Sequence, residues 1–192
     1  MDTEEGILAV KTARDFISSE TGGHFSVNDL PESFNFHCGV FVTLNTFPDN
    51  DLRGCIGIPE PIYPLCESLE YAARSACHDP RFIDLRYDEL ENITVEVTVL
   101  TAPEIIDIDR ESLTDWIVIG KHGLIIEGRG RRGLLLPQVP EELGWNQNDY
   151  LEGLCRKAGL RRGSWRDPDI KLYSFEGEVF RETEPYGPVE RR

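Results

Sequence analysis

The spacing of apolar residues along the chain predicts three helices. Residues 4–20 place apolar side chains on one helical stripe, with Thr3 as the expected N-cap. A second stripe runs through 64–77 and is expected to stop there, because an Asp-Pro pair follows and the residue before proline avoids the α region. The third helix is predicted over 148–158, with Gly159 as the glycine that commonly ends a helix.

Alternation of apolar and polar positions predicts strands elsewhere. Within 37–47, Val40, Val42 and Leu44 face one way, and after a turn cluster a second strand spans 52–58, so the two are expected to form a β-hairpin. Further strands are predicted over 93–100, 116–119, 123–126, 133–136 and 170–180. Residues 24–36 are predicted to be a loop, 103–114 a connection with one helical turn, and the tail from Glu182 onward a frayed end.

The order of these elements favours an α+β fold. Helices and antiparallel-looking strands alternate irregularly, and no βαβ unit repeats as it would in a doubly wound parallel sheet. A chain of 192 residues that is 40% apolar can bury one substantial core, or one core with a small satellite. No linker divides the chain, so a small second lobe is expected to be an insertion within the main one.

Composition narrows the class of protein. No apolar run approaches the roughly 18 residues of a membrane span, and the N-terminus is acidic where a signal peptide would be basic, so we expect a cytoplasmic protein. Five cysteines without paired spacing are expected to be free thiols, and neither a metal site nor a cofactor is predicted. A net charge of -15 argues against nonspecific binding to nucleic acid, which depends on neutralising phosphates.

Some positions suit an anionic ligand. Residues 121–166 carry 9 Lys and Arg against 5 Asp and Glu, and could line a site for a small anion or simply be solvated. His122 and Gln138 are ligand-binding candidates there, but the pattern favours a turn residue for His122 and packing at a helix start for the segment of Gln138. After the second helix, Arg81 could bind an anion, or Asp79 and Arg81 could pin the turn.

The most informative segment is Leu-Arg-Gly-Cys-Ile-Gly at 52–57. Glycine weakens strands, so Gly54 and Gly57 around Cys55 imply that a backbone or a ligand approaches closely. Alternation puts Arg53 and Cys55 on one face, where a guanidinium could lower the pKa of the thiol. The alternative is a buried structural cysteine.

A nucleophilic thiolate also needs a general base. His37 is the first candidate, because its strand is predicted to pair with that of Cys55, and His78 and His122 are alternatives. Glu96 lies mid-strand and could face solvent. If it faces a cleft instead, burial would make it a general acid or base.

These motifs together resemble those of the AMMECR domain family, whose signature hexapeptide is 52–57 as it stands here. The other matching segments are 76–82, 93–100, 134–139, Trp145, 150–160 and Trp165. The resemblance covers about 5–182 and implies one AMMECR-type domain over 1–192, with an antiparallel sheet flanked by helices, a smaller lobe and a groove between the two. It carries no cofactor. Archaeal and bacterial members stand alone, or are fused to or encoded beside Memo-type and radical-SAM-type proteins.

Three functions are compatible with these residues. The first is a cleft enzyme that uses the Cys55 thiol on a small anionic substrate, with His37 or His78 as base and Arg53 or Arg81 orienting the anion. The second is a noncatalytic interaction module that acts with a Memo-type or radical-SAM-type partner. The third, which the charge disfavours, is a nucleic-acid-associated regulator.

Overall fold

Antiparallel strands and helices make up both parts of the computed structural model, which describes residues 1–24 and 30–192. The first unit comprises Met1–Leu100 with Glu178–Arg192, and the second is Thr101–Gly177. The α+β class is therefore confirmed. Of the predicted loop over 24–36, residues 25–29 lie outside the described residues, and Glu32–Asn35 is a 3-10 helix.

The elements are numbered in chain order. The strands are β1 (Val40–Thr46), β2 (Leu52–Ile58), β3 (Ile93–Leu100), β4 (Glu104–Ile105), β5 (Gly123–Gly128), β6 (Arg131–Leu135), β7 (Lys171–Phe175), β8 (Gly177–Glu182) and β9 (Val189–Arg191). The helices are α1 (Thr3–Glu20), α2 (Leu65–Ala76), α3 (Leu113–Trp116), α4 (Gln138–Glu142) and α5 (Gln147–Lys157). Two further 3-10 helices span Tyr87–Asn92 and Ser164–Arg166.

The first unit is built on a five-stranded sheet in the order β2-β1-β3-β8-β9. Val40, Val42 and Leu44 are buried in the core that the sheet shares with α1 and α2, as the alternation predicts. Helix α1 begins one residue earlier than predicted, because its N-cap is Asp2 rather than Thr3. The Asp2 carboxylate accepts from the Glu5 backbone N–H at 2.8 Å, and Glu5 accepts in return, which forms a capping box.

Strands β1 and β2 form the predicted hairpin, but their register is interrupted. Leu44 lies opposite Gly54 while Asn45 lies opposite Leu52, so Arg53 is an extra residue in a β-bulge. Strand β2 pairs with β1 alone and is an edge of the sheet. Because of the bulge, the residues before Gly54 no longer follow the alternation of side chains between the two faces of the sheet.

The second unit carries a four-stranded sheet in the order β4-β7-β5-β6. The strand predicted at 116–119 is wrong: Ile117 N–H donates to the carbonyl of Leu113 at 3.1 Å, which closes the helical turn α3. A run of only four apolar residues is too short for its periodicity to distinguish a strand from a turn of helix. The β5–β6 hairpin is longer than predicted, because Arg129 and Gly130 alone make its turn, with φ of 54° and 69° as a type I′ turn requires.

The last strand predicted, over 170–180, is two strands in different sheets. Strand β7 pairs with β4 and β5, whereas β8 belongs to the five-stranded sheet. The apolar alternation runs through both, so the pattern hides the change of sheet. The frayed tail is also wrong, since β9 pairs with β8 and Thr183 N–H donates to the Pro188 carbonyl at 2.9 Å.

Candidate functional site at the edge strand

Cys55 lies in the middle of β2, directly opposite Thr43 of β1. The Thr43 hydroxyl donates to the Cys55 sulfur at 3.2 Å. Thr43 in turn lies opposite Glu96 of β3, so the three side chains form a row across three strands. Because strand residues alternate between faces, this row is on the face opposite to Val42 and Leu44.

Two side chains close the open backbone edge at Cys55. Its N–H donates to Asp79 Oδ2 at 2.9 Å, and its carbonyl accepts from Arg81 Nη2 at 3.3 Å. An edge strand normally leaves such groups unpaired. Asp79 and Arg81 therefore take the place of a neighbouring strand at this one residue.

The two residues of this clamp are also bonded to each other. Asp79 Oδ1 accepts from the N–H and the Nε of Arg81, both at 3.0 Å, and Oδ2 accepts from Nη2 at 2.6 Å. The guanidinium of Arg81 holds the pKa of Asp79 far below its usual range. The Asp79 side chain is only 1% exposed, whereas that of Arg81 is 55% exposed. The geometry is thus that of a pinned turn with an accessible outer guanidinium.

The glycines of the hexapeptide allow neighbouring groups to approach the strand more closely than a Cβ would permit. A Cβ on Gly54 would lie 2.4 Å from the carbonyl oxygen of Ala76, at the end of α2. A Cβ on Gly57 would lie 2.3 Å from the carbonyl oxygen of Val40. Glycine at 54 therefore lets the end of α2 sit against β2, which brings Asp79 within reach of Cys55.

The Cys55 thiol is not activated. Burial raises its pKa, and the hydrogen bond from Thr43 and the charge of Arg81 offset this only in part. The carboxylates of Asp79 and Glu96 raise the pKa further. A thiol with a raised pKa is protonated near neutral pH and is a poor nucleophile.

Arg53 does not join Cys55, contrary to the alternation argument. Its guanidinium forms two bonds with the Glu89 carboxylate, at 2.9 Å and 3.0 Å. The physical reason is the bulge, which inserts Arg53 as an extra residue ahead of Gly54 and breaks the alternation.

His37 is also not brought to Cys55. It lies three residues before β1 begins, is exposed, and forms an isolated bridge with Pro64. The residue opposite Cys55 is Thr43, six positions further along. At about 3.3 Å per extended residue, that is roughly 20 Å.

His78 is held by two carboxylates on the surface. Its Nε2 is 3.1 Å from Glu20 and its Nδ1 is 3.2 Å from Asp84. These hydrogen bonds raise the pKa of His78, Glu20 having the larger effect. The structure therefore places both ring nitrogens of His78 against carboxylates rather than against the Cys55 thiol.

Glu96 is the one predicted acid–base residue that shares a sheet face with Cys55. It is half-buried, and burial raises its pKa against the opposing charges of Arg181 and Arg192. Thr43 stands between the two, so their Cα atoms are about 10 Å apart at the usual spacing between strands.

His122 and Gln138 belong to the second unit. His122 is 8% exposed, accepts from the Val118 N–H through Nδ1 at 3.2 Å, and stacks on Trp116 with ring centroids 4.4 Å apart. Burial lowers its pKa, so the ring is a neutral part of a turn. Gln138 is exposed at the first position of α4.

The family is decided by the comparison with known proteins. The AMMECR1 family model matches residues 10–180. The chain belongs to the AMMECR1 family. Its AMMECR1 relatives include Protein MJ0810 of Methanocaldococcus jannaschii, 49% identical over 189 residues that span 97% of this chain and 94% of that protein. A protein of Aquifex aeolicus is 48% identical over 163 residues, which cover 84% of each chain.

A solved AMMECR1-like structure supports the same fold. The crystal structure of uncharacterized protein PH0010 from Pyrococcus horikoshii matches with a TM-score of 0.80 and 43% identity, covering 100% of this chain and 98% of that one. None of these three proteins is named for an activity.

Two features of this AMMECR1 site escaped the sequence analysis. One is Thr43, whose bond to the thiol depends on the register of the hairpin. The other is a cavity of about 470 Å³ beside the hexapeptide, lined by Gly57, Ile58, Pro59, Tyr63, Glu67 and Tyr71. Its only available signal was Tyr71, an aromatic residue off the apolar stripe of α2.

Across residues 1–24 and 30–192, no group of three or more His, Cys, Asp or Glu could hold a metal ion. Over the same residues, none of the helices has the length and apolar character needed to cross a bilayer.

Proposed function

We propose that this AMMECR1 protein is a noncatalytic recognition module, whose edge strand β2 binds an extended segment of a partner protein. One observation carries the proposal: the edge of β2 is closed at Cys55 by Asp79 and Arg81 but is open at Gly57, beside a cavity with exposed tyrosines. The protonated thiol, with no histidine beside it, argues against the alternative of a thiol enzyme.

The next open position of the edge is Gly57. Residues of an antiparallel pair alternate between those that bond their partner strand and those that face away. Since the N–H and carbonyl of Cys55 face away from β1, those of Gly57 do so too. Outside the sheet, no described residue bonds to either group. An extended peptide can pair with such groups by β-strand addition.

The surface around Gly57 suits an apolar side chain. The cavity of about 470 Å³ lies beside it, and Tyr63 and Tyr71 in its wall are 47% and 54% exposed. The neighbouring Ile62 is 59% exposed. Aromatic residues left exposed in a cluster are typical of binding surfaces.

Charge specifies the partner further. Glu67 lines the cavity, and Glu60 directly follows Pro59 of its wall, so the surroundings of the cavity are acidic. We therefore expect a segment with one apolar side chain flanked by Lys or Arg. The family resemblance makes Memo-type and radical-SAM-type proteins the first partners to test.

The test measures binding of a purified Memo-type and a purified radical-SAM-type protein from the same organism to four forms of this chain. These are the wild type, Tyr71→Asp, Cys55→Ser, and Ile83→Asp as a matched control, since Ile83 is 79% exposed and outside the cavity. Tyr71→Asp should weaken binding roughly tenfold or more, as expected for an aromatic anchor. The other two variants should bind like the wild type. Binding by neither protein, or loss in Cys55→Ser with Tyr71→Asp unaffected, would refute the proposal.

A further inference from the structure

A second cavity, in the other unit, is lined by a half-buried arginine, Arg110, that forms no ion pair with the described residues. It has a volume of about 530 Å³ and is lined by Asp109, Arg110, Glu111, Thr114, Asn148, Trp165 and Arg166. We infer that this cavity binds a small monocarboxylate through Arg110. The inference is independent of the proposed function, because it concerns different residues in a different unit.

Arg110 is the observation on which this depends. Its Nη2 donates to the carbonyl of Ile170 at 2.6 Å, while its Nη1 is buried without a hydrogen-bond partner in the described chain. None of the ion pairs among residues 1–24 and 30–192 includes Arg110. Even partial burial of a cation without a counter-ion is costly, because it removes charge from water. A carboxylate in the cavity would supply the missing negative charge beside the guanidinium.

The other lining residues complete an anion site. The Thr114 hydroxyl and the Asn148 amide are neutral donors, and Arg166 adds a second guanidinium. Arg166 is held in place because it stacks on Trp165 at 3.8 Å and lies 3.6 Å from Glu152. The planar guanidinium of Arg110 matches the planar carboxylate group.

The acidic members of the lining limit the class of ligand. Asp109 and Glu111 are exposed at the same cavity and would repel a dianion or a polyanion. A single carboxylate satisfies Arg110 with the least repulsion. This excludes nucleic acid as the occupant and distinguishes the site from a phosphate site.

The experiment titrates the protein with sodium acetate against sodium chloride at equal ionic strength, and follows the backbone amide signals of residues 109–114 by NMR. An anion of four heavy atoms should bind with a Kd on the order of 1–10 mM. Arg110→Gln should weaken acetate binding at least tenfold. Arg132→Gln, which removes an exposed arginine of the same unit outside the cavity, should leave it unchanged.

Asn148→Asp provides a second test should Arg110→Gln not fold. Asn148 is exposed, so the variant keeps the fold while placing a negative charge at the cavity, and acetate binding should again fall at least tenfold. A response to acetate no larger than that to chloride would overturn the inference. So would an equal response in the Arg110 and Arg132 variants, or tighter binding of inorganic phosphate than of acetate.

Discussion

Asp79→Asn tests whether the clamp on the edge strand stabilises the first unit. The substitution keeps the shape of the side chain but removes the charge that accepts the Cys55 N–H and three donors of Arg81. The amide must also turn one NH₂ donor toward groups that are donors themselves. We expect the hexapeptide strand to lose its anchor to the end of α2.

The expected loss of unfolding free energy depends on how far Asp79 and its partners are exposed to solvent. Hydrogen bonds to a charged group contribute about 1.5–3 kcal/mol each in buried surroundings. The Asp79 side chain is 1% exposed but that of Arg81 is 55% exposed, so solvent weakens the bonds between the two. The bond from the Cys55 N–H to Asp79 therefore makes the largest contribution to the free energy of unfolding. We therefore expect the free energy of unfolding to fall by about 2 kcal/mol at pH 7.

The stabilisation that Asp79 provides should weaken as the pH falls. The folded pKa of Asp79 is depressed below the unfolded value, which is about 3.9 for an aspartate. Its contribution is therefore complete above pH 5 and is lost as the pH falls below the unfolded pKa. Urea unfolding at pH 7 and pH 3 should show the gap between wild type and Asp79→Asn shrinking by about 1 kcal/mol.

The control is Asp88→Asn. Asp88 pairs with Arg86 at the same two-residue spacing, but both side chains are more than 60% exposed, at 66% and 69%. It should have a clearly smaller effect than Asp79→Asn. An Asp79→Asn variant as stable as Asp88→Asn at pH 7, or a gap that does not shrink at pH 3, would refute the clamp.

Three further changes probe the same unit. Gly54→Ala should lower the free energy of unfolding in urea by about 2 kcal/mol, since its Cβ would overlap the Ala76 carbonyl; unchanged stability would contradict the close approach. Glu182→Gln should cost about 3 kcal/mol in the same assay, because the Arg14 cation is left buried with only carbonyl acceptors. Cys55 should alkylate with iodoacetamide more slowly than free cysteine at pH 8, and its rate should rise at a higher pH than that of free cysteine, because burial raises the pKa of the thiol; a fast reaction at pH 7 would restore the enzyme hypothesis.

Local pattern predicted much of the fold. Strands β2 and β3 have the bounds that alternation indicates, and the Asp-Pro pair marks the end of α2. These bounds depend on residues within one turn or one strand, so they can be predicted from the local sequence alone. The change of sheet between β7 and β8 is invisible to it, because alternation continues across the break.

The contacts within the candidate site could not be predicted from the sequence. The hexapeptide and the Asp79–Arg81 turn are both conspicuous in the sequence, yet their bond joins Cys55 to a carboxylate 24 positions away. A single bulge removes Arg53 from the thiol, and the register places Thr43 there instead of a histidine.

The sequence by itself determined the α+β class, the hairpin and the residues worth examining, since hydrophobic periodicity and glycine placement are local properties. Only the tertiary structure decided what those residues contact. Hydrogen-bond partners, burial and pKa values depend on which distant segments meet, and here they raise the pKa of the Cys55 thiol and hold the Cys55 backbone at the edge of the sheet.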